Sequence, residues 1–284
     1  MSNKVEQQGF LTIAQNTSDV DYLRLAYLQA MSVKLTMPGS KYAVIVDDNT
    51  LAEVTDKHRA VFDHVIPLPH DYAKDEQWKL ANEWQVFDLT PFKETIKVES
   101  DILFTRSIDH WWTAFRLRDV VLSIGCRDYQ DNISENRRYR QVFDDNELPD
   151  AYNGLMYFRY SQTAFAFFTK ARQIFLNWEQ FRDGILINCR DEQPTTDLVY
   201  AIAAKIQGIE NCTLPECDFI NFTHMKNSIN AWPESTPWPE LIVSEIDMPM
   251  VRINNINQYH PLHYQDKTWA TDAVVERFEN ELQR

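Results

Sequence analysis

Glu99-Ser-Asp101 is the segment whose residue types and spacing most directly suggest chemistry. It follows Thr95-Ile-Lys-Val98 and precedes the apolar run Ile102-Leu-Phe104. Residues i and i+2 of an extended chain project to the same side, so both carboxylates can reach one point. Burying unpaired carboxylates is costly, and a divalent cation such as Mg²⁺ or Mn²⁺, shared with substrate phosphates, keeps them charged. The other reading of the pair is an ordinary strand end with solvated acids, and the spacing leaves both open.

Glycine usage narrows how a phosphate would be held. The 284 residues include six glycines, of which the closest two, Gly184 and Gly208, are 24 positions apart. Phosphate loops need glycines within a few residues of one another, because the backbone must turn tightly and approach the oxygens. Any phosphate here must be held by a metal ion or by side chains. The four cysteines form no C-x-x-C pair; Thr-Leu-Pro-Glu separates Cys212 from Cys217. That is the usage of a reduced chain with structural thiols rather than of a zinc site.

The formal net charge of −14 opposes a surface that clings as a whole to nucleic acid or anionic lipid. A local basic groove is still open, since Arg137, Arg138 and Arg140 cluster and Arg116, Arg118 and Arg127 lie nearby. Such a run reads either as a groove or as a solvated helix face. Trp111 and Trp112 either stack on a sugar or base or belong to the core, and His224-Met-Lys226 is a further aromatic and basic loop segment.

These residues need a frame. Phe10–Ala14 reads as a buried strand, and Thr17, Ser18 or Asp19 caps a helix carrying Leu23, Ala26, Tyr27 and Ala30. Tyr42–Val46 is the next strand, then a polar helix, then Val61–Ile66 before Pro67 and Pro69. A helix over 78–92, an extended run 95–104, a short helix 109–115 and a strand 120–124 follow. Residues 127–150 read as loop, 152–158 as strand, and Ser161–Trp178 and Pro194–Gln207 as helices. Pro233, Pro237 and Pro239 mark an irregular stretch, then two strands and a helix from Thr271. Disorder is expected only in the first eight residues, MSNKVEQQ. The alternation predicts βαβ units in an α/β fold. Length fits one domain, 1–284, with a nucleotide-binding half at 10–126 and an acceptor half at 127–284 carrying a C-terminal elaboration.

This layout resembles the GT-A (Rossmann-like) fold of nucleotide-sugar glycosyltransferases, a mixed, mainly parallel sheet flanked by helices. Their D-x-D motif holds a metal that bridges the donor diphosphate. Ile96-Lys-Val-Glu-Ser-Asp-Ile-Leu-Phe104 is most similar to the motif of the glycogenin-like retaining family (family 8), with Glu99 in place of the first Asp. The resemblance implies Glu99 and Asp101 as metal ligands. His263-Tyr-Gln-Asp-Lys-Thr-Trp269 resembles that family's H-x-x-G-x-x-K-P-W, in a shorter form without the Gly and Pro. It implies His263 as third ligand and Lys267 as a diphosphate contact.

Tyr152–Phe158 resembles the family's F-N-[AS]-G-[VM]-[LM] strand less its spacer, implying Asn153 and Gly154 in donor binding; locally it also reads as an Asn-Gly turn. Thr12–Asn16 with Asp21-Tyr22 is similar to the strand and loop that hold the uridine, implying Ala14, Gln15, Asn16 and Tyr22. Lys93 matches a basic donor contact, or is a surface lysine. Asp197, in Pro194-Thr-Thr-Asp-Leu-Val199, takes the place of an acidic D-Q-D segment and is expected to be catalytic with Lys267. It reads equally as a first-turn helix acid.

What the resemblance implies is a metal-dependent transferase using Mn²⁺ or Mg²⁺, moving a sugar with retention from a UDP-sugar to an acceptor hydroxyl; the compact character of the chain suits a glycan, a small molecule or a modified DNA base as that acceptor. The aromatic-rich, glycine-poor composition is similar to that of conserved proteins of tailed bacteriophages, some of which glycosylate modified bases. A noncatalytic nucleotide-sugar-binding or scaffold protein of the same fold is the alternative. A nucleotidyltransferase is disfavoured by the missing glycine-rich first loop. With neither a basic-then-apolar leader nor about 18 uncharged apolar residues in a row, a cytoplasmic protein without a membrane partner is expected.

Overall fold

The computed structural model describes residues 4–284 except 135, 136, 215, 216 and 218, and side chains at 134 and 137–139 are likewise outside it. The first three residues of MSNKVEQQ and the side chains of Arg137 and Arg138 therefore lie outside the described residues. The chain begins with β1 (Glu6–Ala14), α1 (Tyr22–Thr36), β2 (Tyr42–Val46), the short helices α2 (Asp48–Ala52) and α3 (Asp56–Arg59), and β3 (His64–Pro67). A 3-10 helix, Lys79–Gln85, runs into α4 (Val86–Leu89), followed by β4 (Phe92–Val98), β5 (Ile102–Leu103), α5 (Trp111–Phe115) and β6 (Val120–Ile124). Then come β7 (Cys126–Arg127), β8 (Ile133–Ser134), α6 (Arg137–Asp145), β9 (Ala151–Arg159), α7 (Gln162–Leu176), α8 (Trp178–Gly184) and α9 (Thr196–Gln207). The rest is β10 (Thr223–His224), α10 (Trp238–Leu241), β11 (Ser244–Asp247), β12 (Met250–Ile253), β13 (Ile256–Asn257), β14 (Leu262–His263) and α11 (Asp272–Leu282).

The central sheet has six strands in the order β3-β2-β1-β4-β9-β6. The first four run parallel, and β9 runs antiparallel to both its neighbours. This is a mixed, mainly parallel sheet flanked by helices. Because β9 lies between β4 and β6, one sheet joins residues from both sides of position 126.

Side-chain alternation divides the core. Phe10, Val44 and Ile96 face a layer with Leu28, Met31, Trp111 and Phe278. Leu11, Ile45 and Phe92 face the opposite layer with Phe87, Phe168 and Tyr200. Helix starts follow their caps: Asp21 accepts from the Arg24 amide, Ser161 from Ala164 and Thr271 from Val274. A second sheet, β5-β14-β10-β7-β8, and a three-stranded β11-β12-β13 complete the fold.

Several expectations are corrected. Glu6–Gln8 already pair in β1, so order begins earlier than expected. The segment 78–92 is a 3-10 helix plus one α turn, and Phe92 belongs to β4. Residues 127–150 contain β8 and the nine-residue α6 rather than loop alone. The third strand starts at His64, since Val61 and Phe62 bury themselves in the turn before it. Trp111 and Trp112 are core residues, 2% and 4% exposed, and so stack on no ligand. Arg140 is 1% exposed, held by Asp150 and lying 3.5 Å over the Phe143 ring, which removes it from any solvated or nucleic-acid face. No disulfide joins the cysteines.

Candidate functional site

The site forms at the carboxyl ends of β1 and β4, where open α/β sheets offer ligands a crevice. After Val98 the chain turns: the Ile102 amide donates to the Glu99 carbonyl (3.1 Å), and the Glu99 amide to the Gly154 carbonyl (3.0 Å). Gln29 of α1 fixes this turn, its Nε2 donating to the carbonyls of Glu99 (2.5 Å) and Ile102 (2.8 Å). Pinned in this way, the Glu99 and Asp101 carboxylates share one side of the turn.

The remaining groups arrive from the distant C-terminal segment. β14 pairs antiparallel with β5, setting His263 opposite Ile102, and the Tyr264 amide donates to the Asp101 carbonyl (3.1 Å). His263 Nε2 then lies 3.1 Å from Asp101 Oδ2 and 3.4 Å from Glu99 Oε2. Lys267, in the 3-10 turn after β14, places Nζ 2.5 Å from the same Asp101 oxygen. Ligand atoms of Glu99, Asp101 and His263 all lie within 4.8 Å of one another.

The electrostatics are uneven. Burial alone would raise the Asp101 carboxyl, but His263 and Lys267 outweigh it and hold it far below the ordinary value. Burial pushes Glu99 up to about 6, with Asp101 adding to the rise and His263 opposing it. Lys267 is raised, because Asp101 overcomes the effect of its burial. Two carboxylates and an imidazole form an oxygen-rich donor set suited to Mg²⁺ or Mn²⁺. Asp101 and His263 are 7% and 8% exposed as side chains, Glu99 30%, so the cluster opens to solvent on the Glu99 side.

That side faces a cavity of about 340 Å³. Among the expected residues, Gln15, Tyr22, Glu99, Asp101, His263 and Lys267 line it. Burial raises the Tyr22 hydroxyl, Lys267 opposes that rise, and Asp101 and Glu99 add to it. Ala14 is buried just outside, at the end of β1. Asn16 is turned away, its amide donating to Glu53 (2.7 Å) and its oxygen accepting from Leu23 (2.9 Å), so it shapes the β1–α1 loop. Gly154 sits beneath the turn, where a Cβ would stand 2.8 Å from the Phe222 ring. Asn153 is buried, with no protein partner for its side-chain amide.

Two expected roles change. Lys93 is exposed at the far end of β4, about 20 Å along the strand from Glu99, too far to reach the Glu99–Asp101 cluster. The lysine of β4 that lines the cavity is Lys97, two residues before Glu99; it makes a 2.7 Å ion pair with Glu83. Asp197 does not line the cavity. One of its oxygens accepts the Asn153 amide (2.6 Å) and the other faces Arg140 at 3.5 Å, making it a positioning residue for β9. Burial raises its carboxyl against the pull of Arg140.

Sequence reasoning missed Trp78, Glu83 and Lys97 in the lining and Gln29 behind it. Only Lys97 left a signal, through its i−2 spacing from Glu99.

No protein-family model matches the chain, and no curated protein matches it in sequence. Among solved structures, it is similar to the glycosyltransferase GlyE of Streptococcus pneumoniae TIGR4, at 11% identity and a TM-score of 0.52 over 98% of this chain. It spans 61% of the length of GlyE. An active-site mutant of LgtC is similar at 14% identity and a TM-score of 0.50, over 97% of this chain and 95% of that one. The fold is therefore GT-A.

Proposed function

We propose that the chain is a metal-dependent glycosyltransferase that moves a sugar from a nucleotide-sugar donor, a UDP-sugar, to an acceptor hydroxyl. The observation carrying this reading is the convergence of Glu99, Asp101 and His263 with Lys267 on one wall of the cavity, at the strand ends of a GT-A fold. The three residues would hold Mn²⁺ or Mg²⁺, which supplies positive charge to the leaving diphosphate. Lys267 adds a fixed cation to the same oxygens, so charge developing as the anomeric C–O bond breaks meets donors already in place. Gln15 and Tyr22 bound the nucleoside end. Asn153, with its unpartnered amide, is assigned to the donor sugar. Asp197 and Arg140 hold Asn153 in register. Retention is carried over from the family 8 resemblance of the Glu99–Asp101 and His263–Lys267 segments.

Within this reading a glycan or small molecule ranks ahead of a modified base of phage DNA as acceptor, because a net charge of −14 opposes a phosphate backbone. A gel shift at two salt concentrations distinguishes them, since phosphate contacts weaken steeply with salt. Among the described residues no helix is long and apolar enough to cross a membrane. A donor-binding protein without transferase activity is the second reading, favoured by the direct Lys267–Asp101 contact, which occupies a ligand oxygen.

Calorimetry of UDP-sugar binding with Mn²⁺ and with chelator tests the proposal. Binding requires the metal, and Asp101→Asn weakens it more than about 100-fold, beyond the usual cost of losing a supporting partner. Equal binding in chelator, or an unaffected variant, refutes the metal centre. Tight binding without turnover of any donor selects the second reading.

A further inference from the structure

The ring beside His263 is unusual in being tied at both nitrogens. β10 pairs parallel with β14 in a register that sets His224 directly against His263. The two imidazoles stack with centroids 4.2 Å apart and planes within 3°. His224 Nε2 lies 2.8 Å from Gln265 Oε1, and its Nδ1 lies 2.8 Å from the Tyr152 hydroxyl. A carbonyl oxygen only accepts, so Nε2 carries a proton, and the Tyr152 hydroxyl bonds Nδ1. His224 is thereby a ring fixed in plane and rotation, 4% exposed.

His263 lacks the corresponding support. A metal-bound histidine ordinarily donates its second ring N–H to a carboxylate, carbonyl or water, which sets the orientation of the ring. His263 Nδ1 is buried, and among the described residues no protein group bonds to it. Its Nε2 nonetheless points at both carboxylates. The flat contact with His224 lies closer to the ring than the tilted contact with Phe222 (centroids 4.2 against 5.9 Å) and is the one that matches its plane.

We propose that His224 is a positioning residue for a divalent cation at Glu99, Asp101 and His263: locked by Tyr152 and Gln265, it holds the His263 ring by stacking, where no protein group bonds Nδ1. The inference rests on the metal reading above. It links the cation to Tyr152, three residues before Leu155 on β9, and to Gln265, which also lines the donor cavity. Donor binding and ligand orientation thus share one side chain.

The test measures Mn²⁺ alone, without nucleotide, on the full chain, by calorimetry and by the electron paramagnetic resonance spectrum of bound Mn²⁺. His224→Leu removes the ring, His224→Phe keeps a flat ring without nitrogens, and Tyr152→Phe removes one hydroxyl. His224→Leu raises the Mn²⁺ dissociation constant about tenfold and broadens the spectrum. His224→Phe recovers most of the affinity, and Tyr152→Phe shows a smaller loss of the same kind. Wild-type affinity and spectrum in both His224→Leu and Tyr152→Phe overturn the proposal, as does a His224→Phe variant no better than His224→Leu. Should His224→Leu not fold, Tyr152→Phe decides alone. If the wild-type chain binds no Mn²⁺, the metal reading itself fails, an outcome distinct from variants that bind like wild type.

Discussion

Two ionic groups sit in one cavity, their nearest members, Lys97 and Glu99, two residues apart in the chain, and they are built on different plans. Lys97 and Glu83 form a closed pair, one charge to one charge at 2.7 Å, with side chains 1% and 4% exposed. Glu99, Asp101, His263 and Lys267 form an open group in which one oxygen of Asp101 serves two partners and Glu99 stays 30% exposed. A closed pair is balanced within the folded chain. The open group leaves carboxylate oxygens unused, which gives it capacity for a ligand. Charge alone does not separate structure from function here. What does is whether the charges balance within the protein.

The sharpest way to break the comparison is to open the closed pair. Lys97→Met leaves Glu83 buried without its cation and destabilises the protein by about 3–5 kcal/mol. Urea unfolding measures this, and adding Glu83→Gln recovers much of the loss. Asp101→Asn, by contrast, costs metal-dependent donor binding in addition to the stability carried by its contacts with His263 and Lys267. Were Lys97→Met as stable as wild type, the pair would not be structural and the contrast would be lost.

Gly154 tests how closely the open group depends on its support. Gly154→Ala pushes a methyl group into the Phe222 ring, and Phe222 packs 5.9 Å from the His263 ring. Overpacking of this kind costs about 1–3 kcal/mol. The expected result is a lower unfolding midpoint together with weaker Mn²⁺ binding. A loss of stability with unchanged Mn²⁺ affinity would uncouple the glycine from the site.

Acidity gives the smallest effect and the clearest opposition of sign. Asp63 is a closed carboxylate: burial would raise it, but Lys34, the Tyr42 amide and Lys41 outweigh that and lower it. Its stabilisation is present above its ordinary value of 3.8 and disappears as pH falls through the lowered one. Glu99 is raised from 4.5 to about 6, so in chelator its ionisation disfavours the fold as pH rises through that interval. Asp63→Asn should therefore be less stable than wild type at neutral pH and converge with it in acid. Metal-free Glu99→Gln should match wild type in acid and exceed it at neutral pH. Unfolding curves across that range check both signs, and parallel curves for the two variants would contradict the distinction.

The parts of the site that sequence made legible are those fixed by a few neighbouring residues. The i, i+2 placement of Glu99 and Asp101 follows from extended backbone geometry, and the βαβ order from apolar runs separated by capped helices. Lys93 misled because a few residues in sequence are about 20 Å along a strand. Trp111 and Trp112 were ambiguous because an aromatic pair looks the same facing a core or a ligand. Residues 127–150 hid α6 because its anchor, Arg140, is buried by Asp150, Asp197 and Phe143, and polar residues give no apolar periodicity to read.

The sequence by itself determined the α/β order, the pairing of two carboxylates at a strand end, and the absence of any glycine loop to hold phosphate. Tertiary structure decided what meets those carboxylates. His263 reaches Asp101 only because β14 pairs with β5, and His224 lies flat against His263 only because β10 and β14 share a register. Local sterics set where a side chain points within a few residues. Contacts between distant strands are chosen by burial and hydrogen bonding summed over the whole chain, and no short segment carries that sum.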